Sequence, residues 1–172
     1  MYIWEVGVRA KPILHLGVFW PKIDLTMANE KTSDGGLEGL KGLRVMVVDD
    51  NKTIRKTAEL MLKAAGCEVV LAEDGFEALA KVADHHPQVI FVDIMMPRLD
   101  GYQTTALIKR NRQFSSTLIV MLTSKDGIFD RARGRIVGCE EYLTKPFTKD
   151  DLLGAIKRHI VGAEQLTPMG RG

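Results

Sequence analysis

Between Leu43 and Ile160, short apolar runs alternate with stretches of helical periodicity, and this alternation leaves few folds open to the chain. The runs are Arg44–Val48, Glu68–Ala72, Gln88–Val92, Thr117–Leu122 and Cys139–Leu143. Each has strand length, and Gln88–Val92 is the most apolar, as suits a strand buried on both faces at a sheet centre. Between them fall stretches with apolar residues at helical spacing. Lys52–Ala65 carries Ile54, Ala58, Met61 and Leu62 on one face and stops at Gly66. A second stretch starts at Asp74 or Gly75 and runs to His85, with Phe76, Leu79, Ala80 and Ala83 as its predicted inward stripe, and Pro87 breaks it. Gly101–Lys109 aligns Tyr102, Thr105 and Ile108, and Lys149–Ile160 aligns Leu152, Leu153, Ile156 and Ile160. Asp130–Val137 is a short, arginine-rich helix with little apolar surface. Five strands alternating with five helices predict a parallel α/β sheet covered on both faces.

Residues 1–42 differ in character. The first part is apolar without a clear period, and Asn29–Gly42 is polar and glycine-rich, as a linker is. The expected organisation is an N-terminal extension and linker over 1–42, a folded domain over 43–160 and a short tail over 161–172. Residues 1–26 are expected to be either a poorly ordered tail or the product of a start site assigned upstream of Met27. No basic–apolar–cleavage order marks them as a signal peptide.

The formal net charge of the 172 residues is +2, too near neutral to argue for nucleic acid or a membrane surface, and no dense Lys/Arg run is interleaved with aromatics. No apolar run reaches the length of a membrane span. The two cysteines, Cys67 and Cys139, lack metal-ligand spacing and read as small, partly buried thiols in a reducing cytoplasm, the expected location.

The chemistry sits where the predicted strands end. Asp49 and Asp50 close the first strand, Asp93 the third, Thr123 the fourth, and Lys145 follows the fifth. In an open parallel sheet, ligands bind in the crevice beyond the carboxyl ends of the strands, so these positions converge. Asp50 taken singly could be a helix N-cap. Three carboxylates in one crevice repel, and the need for a hard divalent cation with oxygen ligands points to Mg²⁺. A carboxylate beside Mg²⁺ and a lysine is equipped to accept a phosphoryl group. Lys145 precedes Pro146, a cis-peptide candidate that would aim the lysine into the crevice.

The segments VVDDN, FVDIMMPRLDG, VMLTSKD and YLTKPF, in this order, resemble the signature of the receiver domain of two-component response regulators over about Leu43 to Ile160. The resemblance implies a flavodoxin-like (βα)5 three-layer sandwich with strand order 2-1-3-4-5. It implies Asp93 as phosphoacceptor and Mg²⁺ held by Asp50, Asp93 and the Met95 backbone carbonyl, with Asp49 acting through water. Lys145 and Thr123 would bind the phosphoryl group, and Thr123 and Tyr142 would form the switch pair. The implied partners are a histidine kinase or its phosphotransfer domain, and a downstream protein docking on the last two helices and strand five. DNA is not expected, since a DNA-binding regulator would append a helix-turn-helix domain after Ile160.

The stretches GYQTTALIKRN, KDGIFDRARGRIVG and EEYLTKPF are most similar to stand-alone receivers of the type IV pilus twitching-motility pathway. A flagellar-type chemotaxis regulator or a phosphate sink is the alternative. Met95, two residues past Asp93, is bulky and apolar where some relatives carry a polar group that helps place the attacking water, and Lys125, two past Thr123, is basic. Slow self-dephosphorylation is therefore expected. Two other classes fit less well. An aspartyl-nucleophile phosphohydrolase would carry its nucleophile on the first strand, with a second acid two residues on. A phosphorylation-independent scaffold would not need all five functional positions intact.

Overall fold

The computed structural model describes residues 38–124 and 135–160. Strands β1 (Arg44–Val48), β2 (Glu68–Ala72), β3 (Val89–Asp93), β4 (Leu118–Thr123) and β5 (Glu141–Thr144) form one sheet in the order β2-β1-β3-β4-β5. Every pairing is parallel, and the order is the flavodoxin-like one expected. Helices α1 (Lys52–Lys63), α2 (Gly75–His85), α3 (Gly101–Arg110) and α4 (Lys149–Ile160) cover it. Residues 135–137 are also helical, while most of the arginine-rich helix predicted over Asp130–Val137 lies outside the described residues. So do Lys125, most of the N-terminal extension and the C-terminal tail.

The period of two along each strand divides the core. Val45, Val47, Phe91, Val120, Leu122 and Leu143 face a cluster closed by Leu62 of α1 and Leu152 and Ile156 of α4. Met46, Val48, Ile90, Val92, Ile119 and Met121 face the other cluster, closed by Val82 of α2 and Tyr102 and Ile108 of α3. Each fully buried aliphatic side chain contributes roughly 1.5–3 kcal/mol relative to exposure. β3 is buried at all five positions, in agreement with its central place.

The structure differs from the sequence expectation in several ways. The inward face of α2 is Gly75, Ala78 and Val82, not the Phe76, Leu79, Ala80, Ala83 stripe. Phe76 is exposed, as are Ala80 and Ala83, and Leu79 is only half-buried. Both sets have helical spacing. The choice falls to the cap: Asp74 accepts from the Glu77 N–H and fixes the helix so that Gly75 abuts Thr104 of α3.

The packed unit also begins before Leu43. Glu38–Leu40 forms a 3-10 turn, and Leu40 is buried in the α1 and α4 cluster. The Gly42 N–H donates to the Gly66 carbonyl. The end of the predicted linker is thus part of the fold, because Leu40 supplies apolar surface that a linker would leave in water. β5 starts at Glu141 rather than Cys139.

Cys67 and Cys139 are free and buried, and burial pushes both thiols up to about 11. At pH 8 both are expected to resist alkylation in the folded protein and to react fully once it is unfolded in urea; a thiol count by mass checks this.

Candidate functional site

Strand register brings the acids together. Val48 pairs with Val92, so Asp49 and Asp93 emerge side by side from β1 and β3. The Ile94 N–H donates to the Leu122 carbonyl and the Lys145 N–H to the Thr123 carbonyl, which carries the ladder past the strand ends. Parity then sorts the side chains. Asp49, Asp93 and Lys145 continue the set that begins with Val47, Phe91 and Leu143, on the α1 and α4 face. Thr123 continues the set of Ile119 and Met121, on the other face, where half-buried Tyr142 packs.

Lys145 Nζ lies 2.6 Å from Asp49 Oδ2 and 2.9 Å from Asp93 Oδ1. Asp49 is fully buried and Asp93 nearly so, while Asp50 is exposed at the mouth. One carboxylate oxygen from each of the three acids falls within 4.8 Å of the others. Asp50 does not cap α1. Asn51 does, its side chain accepting from the Thr53 and Ile54 N–H groups, and this leaves the Asp50 carboxylate at the crevice. Asn51 also donates its own N–H to Asp49 Oδ1 at 2.8 Å. The VVDDN segment signals this cap, since Asn ranks with Asp as an N-cap.

The electrostatic balance is incomplete. Lys145 can neutralise one of three carboxylates, and Arg55 is engaged with the Asp49 carbonyl and, at 3.9 Å, with Glu73. Asp49 Oδ2 is paired with the lysine charge but receives no aligned hydrogen bond. Burial holds the Asp93 carboxyl above the usual carboxylate range. The Lys145 hydrogen bond and charge pull against this, and the Asp49 charge adds to it. Three clustered carboxylates with one lysine between them, an all-oxygen donor set and excess negative charge fit a hard divalent cation.

Met95 follows at the mouth with its side chain exposed and its N–H 3.3 Å from Asp93 Oδ1. Gly101 closes the β3–α3 loop, with its N–H donating to the Ile94 carbonyl. A Cβ at Gly101 would sit 2.3 Å from the Asp93 carbonyl oxygen, so only glycine lets α3 start against the acidic strand end. The Thr123 hydroxyl donates to the Ser124 carbonyl rather than into the crevice. The Lys145–Pro146 bond is cis.

The family described as response regulator receiver domain matches residues 45–157. The chain belongs to that family. Over 119 residues this receiver is 69% identical to Protein PilG of Pseudomonas aeruginosa, an alignment covering 69% of this chain and 88% of that protein. It is 37% identical to the response regulator MprA of a Mycobacterium species over 67% of this chain, spanning 49% of MprA.

Among solved structures, chemotaxis protein CheY4 of Vibrio cholerae is similar with a TM-score of 0.66 and 35% identity, covering 68% of this chain and 98% of that one. The receiver domain of the sensor histidine kinase PA1611 of Pseudomonas aeruginosa has a TM-score of 0.63 and 30% identity, covering 68% and 96%. That structure holds a magnesium ion in its active-site cleft. Among the described residues of this receiver, no helix is long and apolar enough to cross a membrane.

Proposed function

We propose that this receiver takes a phosphoryl group on Asp93 from a histidine kinase or its phosphotransfer domain and, once phosphorylated, changes which protein it docks. The observation that carries the reading is the meeting of Asp49, Asp50 and Asp93 with Lys145 at the strand ends. Mg²⁺, held by Asp50, Asp93 and the Met95 carbonyl with Asp49 acting through water, would neutralise charge on the phosphoryl oxygens.

The chain's own residues do the rest. An Asp93 carboxylate oxygen attacks phosphorus in line as the phosphorus–nitrogen bond of a phosphohistidine breaks, and the imidazole leaves with the electron pair. Lys145 offers its charge to an equatorial oxygen and keeps Asp49 and Asp93 from repelling each other open. The site is confined to self-phosphorylation and self-dephosphorylation, with no turnover of an external phosphate ester.

Phosphorylated Asp93 carries about −1.5 to −2 charges where the free carboxylate carries one, together with strong acceptor oxygens. The Thr123 hydroxyl then leaves the Ser124 carbonyl to donate to one of them, and the Tyr142 ring turns into the space beside it. A near-complete switch requires about 5.5 kcal/mol of differential binding. One charge-assisted hydrogen bond supplies roughly 1.5–3 kcal/mol, so the downstream partner supplies the remainder. That partner docks on β5, α4 and the arginine-rich segment predicted as a helix before them. A recess there is lined by Arg135, Cys139, Glu140, Glu141 and Tyr142. The motif resemblance to twitching-motility receivers, together with 69% identity to Protein PilG, favours control of type IV pilus twitching motility, with the cytoplasm as the expected location.

Incubation with Mg²⁺ and a small acyl phosphate is expected to add one phosphoryl group by intact mass, and steady turnover of an ester without an adduct contradicts the reading. The thioether of Met95 cannot orient water, so the phosphorylated form is expected to persist for minutes or longer. Met95→Asn is expected to shorten that lifetime several-fold, read as decay of the adduct after donor removal. An unchanged lifetime removes Met95 from the account.

A further inference from the structure

The loop from Ile94 to Asp100 follows Asp93 and carries Met95 at one end, and it is clamped to α2 at the other. The Leu99 N–H donates to the Pro97 carbonyl at 2.8 Å, and Arg98 between them has φ 70°. A two-residue-spaced bond around a positive φ is the strained hand of the γ-turn, and a branched or long side chain rarely adopts it. Something outside the turn must hold it.

Three contacts do so. The Arg98 guanidinium pairs with Asp74, the N-cap of α2, whose other carboxylate oxygen accepts from the Glu77 N–H. The same guanidinium lies 5.6 Å from the centre of the exposed Phe76 ring. Leu99 covers Gly75 so closely that a Cβ there would meet its side chain at 2.8 Å.

We propose that Arg98 is a positioning residue for the phosphoacceptor loop: paired with Asp74 and stacked on Phe76, it holds the turn whose other end aims Asp93 and the Met95 backbone. The proposal rests on the reading that Asp93 and Met95 hold Mg²⁺ and that Asp93 takes the phosphoryl group. The alternative, that the pair only staples α2, predicts a change in stability with an unchanged site. The guanidinium rather than the backbone conformation is the working part, because glycine adopts a positive φ without strain.

The test uses the full chain in three variants: Arg98→Gly, which relieves the turn but lacks the clamp; Asp74→Asn, which keeps an N-cap but loses the charge; and the two together. Each is read by Mg²⁺ affinity from calorimetry and by the initial rate of acyl-phosphate labelling, well below its melting temperature. Both single variants are expected to weaken Mg²⁺ binding by about tenfold, as loss of a supporting contact behind metal ligands does. The double variant is expected to be no worse than either, since each removes the same pair. Labelling slows in parallel. Mg²⁺ binding within twofold of the parent in both single variants, or losses that multiply in the double variant, overturns the proposal. If the parent protein itself neither binds Mg²⁺ nor takes label, it is the functional reading that fails, and the comparison among variants does not arise.

Discussion

Lys145→Ala is expected to slow Mg²⁺-dependent phosphoryl uptake by about 10²-fold or more, the usual scale for removing one fixed charge stabiliser from a reacting centre. The geometry makes the lysine hard to replace. Its ammonium lies within 2.9 Å of oxygens on both Asp49 and Asp93, and these acids come from different strands. Its loss leaves a fully buried carboxylate facing a nearly buried one. Breaking a buried pair costs about 3–5 kcal/mol, and the partial exposure of Lys145 argues for the lower end. The metal-free variant should therefore melt well below the parent, with much of the loss restored by Mg²⁺. The check is labelling rate beside melting curves with and without Mg²⁺. Uptake within about threefold of the parent would remove Lys145 from the mechanism.

Mg²⁺ itself should be a large stabiliser. A ligand that binds only the folded state contributes about 2.7 kcal/mol at a hundred times its dissociation constant. For a domain of this size that is a rise of the order of 10 °C in melting temperature. Asp93→Asn is expected to abolish most of this rise and, in the absence of metal, to melt higher than the parent at neutral pH.

The sign follows from the direction of the Asp93 shift. Its carboxyl is raised in the folded state, chiefly by burial. The folded chain thus holds that proton more tightly than the unfolded chain. The stability this contributes is fully present below the unfolded value, near 3.8, and is lost as pH rises through the raised folded value. Above that raised value the metal-free parent carries the cost of a buried carboxylate, and asparagine removes it. Melting scans in chelator check both parts. A variant that melts lower than the parent in chelator, or that keeps the full Mg²⁺ response, contradicts the electrostatic account.

Much of the site was legible because its residues fall at the ends of predicted strands, where an open parallel sheet forms its crevice, and the period of two then sorts their faces. Asp49, Asp93 and Lys145 fall at matching parity to Val47, Phe91 and Leu143, and register alone then places them on one face. The same counting puts Thr123 with Met121 on the other face, beside Tyr142. Parallel order followed from the alternation of strands and helices.

What escaped was whatever depended on contacts between elements. The stripe read on α2 was displaced from the face that is buried, which the Asp74 cap and the tight Gly75–Thr104 approach select. Leu40 looked like linker because its neighbours are Gly and Lys, and only the apolar gap below α1 and α4 reveals its place. Asp50 was the cap that the sequence suggested, and the cap formed by Asn51 instead is what leaves Asp50 at the crevice. The clamp between Asp74 and Arg98 spans 24 residues. A positive φ at an arginine has no sequence signal, because glycine or asparagine is the residue that announces one.

The most direct measurement is to locate the modification. The protein is labelled with an acyl phosphate in Mg²⁺, reduced with borohydride, which converts an aspartyl phosphate to homoserine, and digested for peptide mass mapping. The account predicts the reduced residue at Asp93 alone, dependent on Mg²⁺ and missing in Asp93→Asn. Homoserine at Asp49 or Asp50, or an unmodified Asp93 under full labelling, would contradict it.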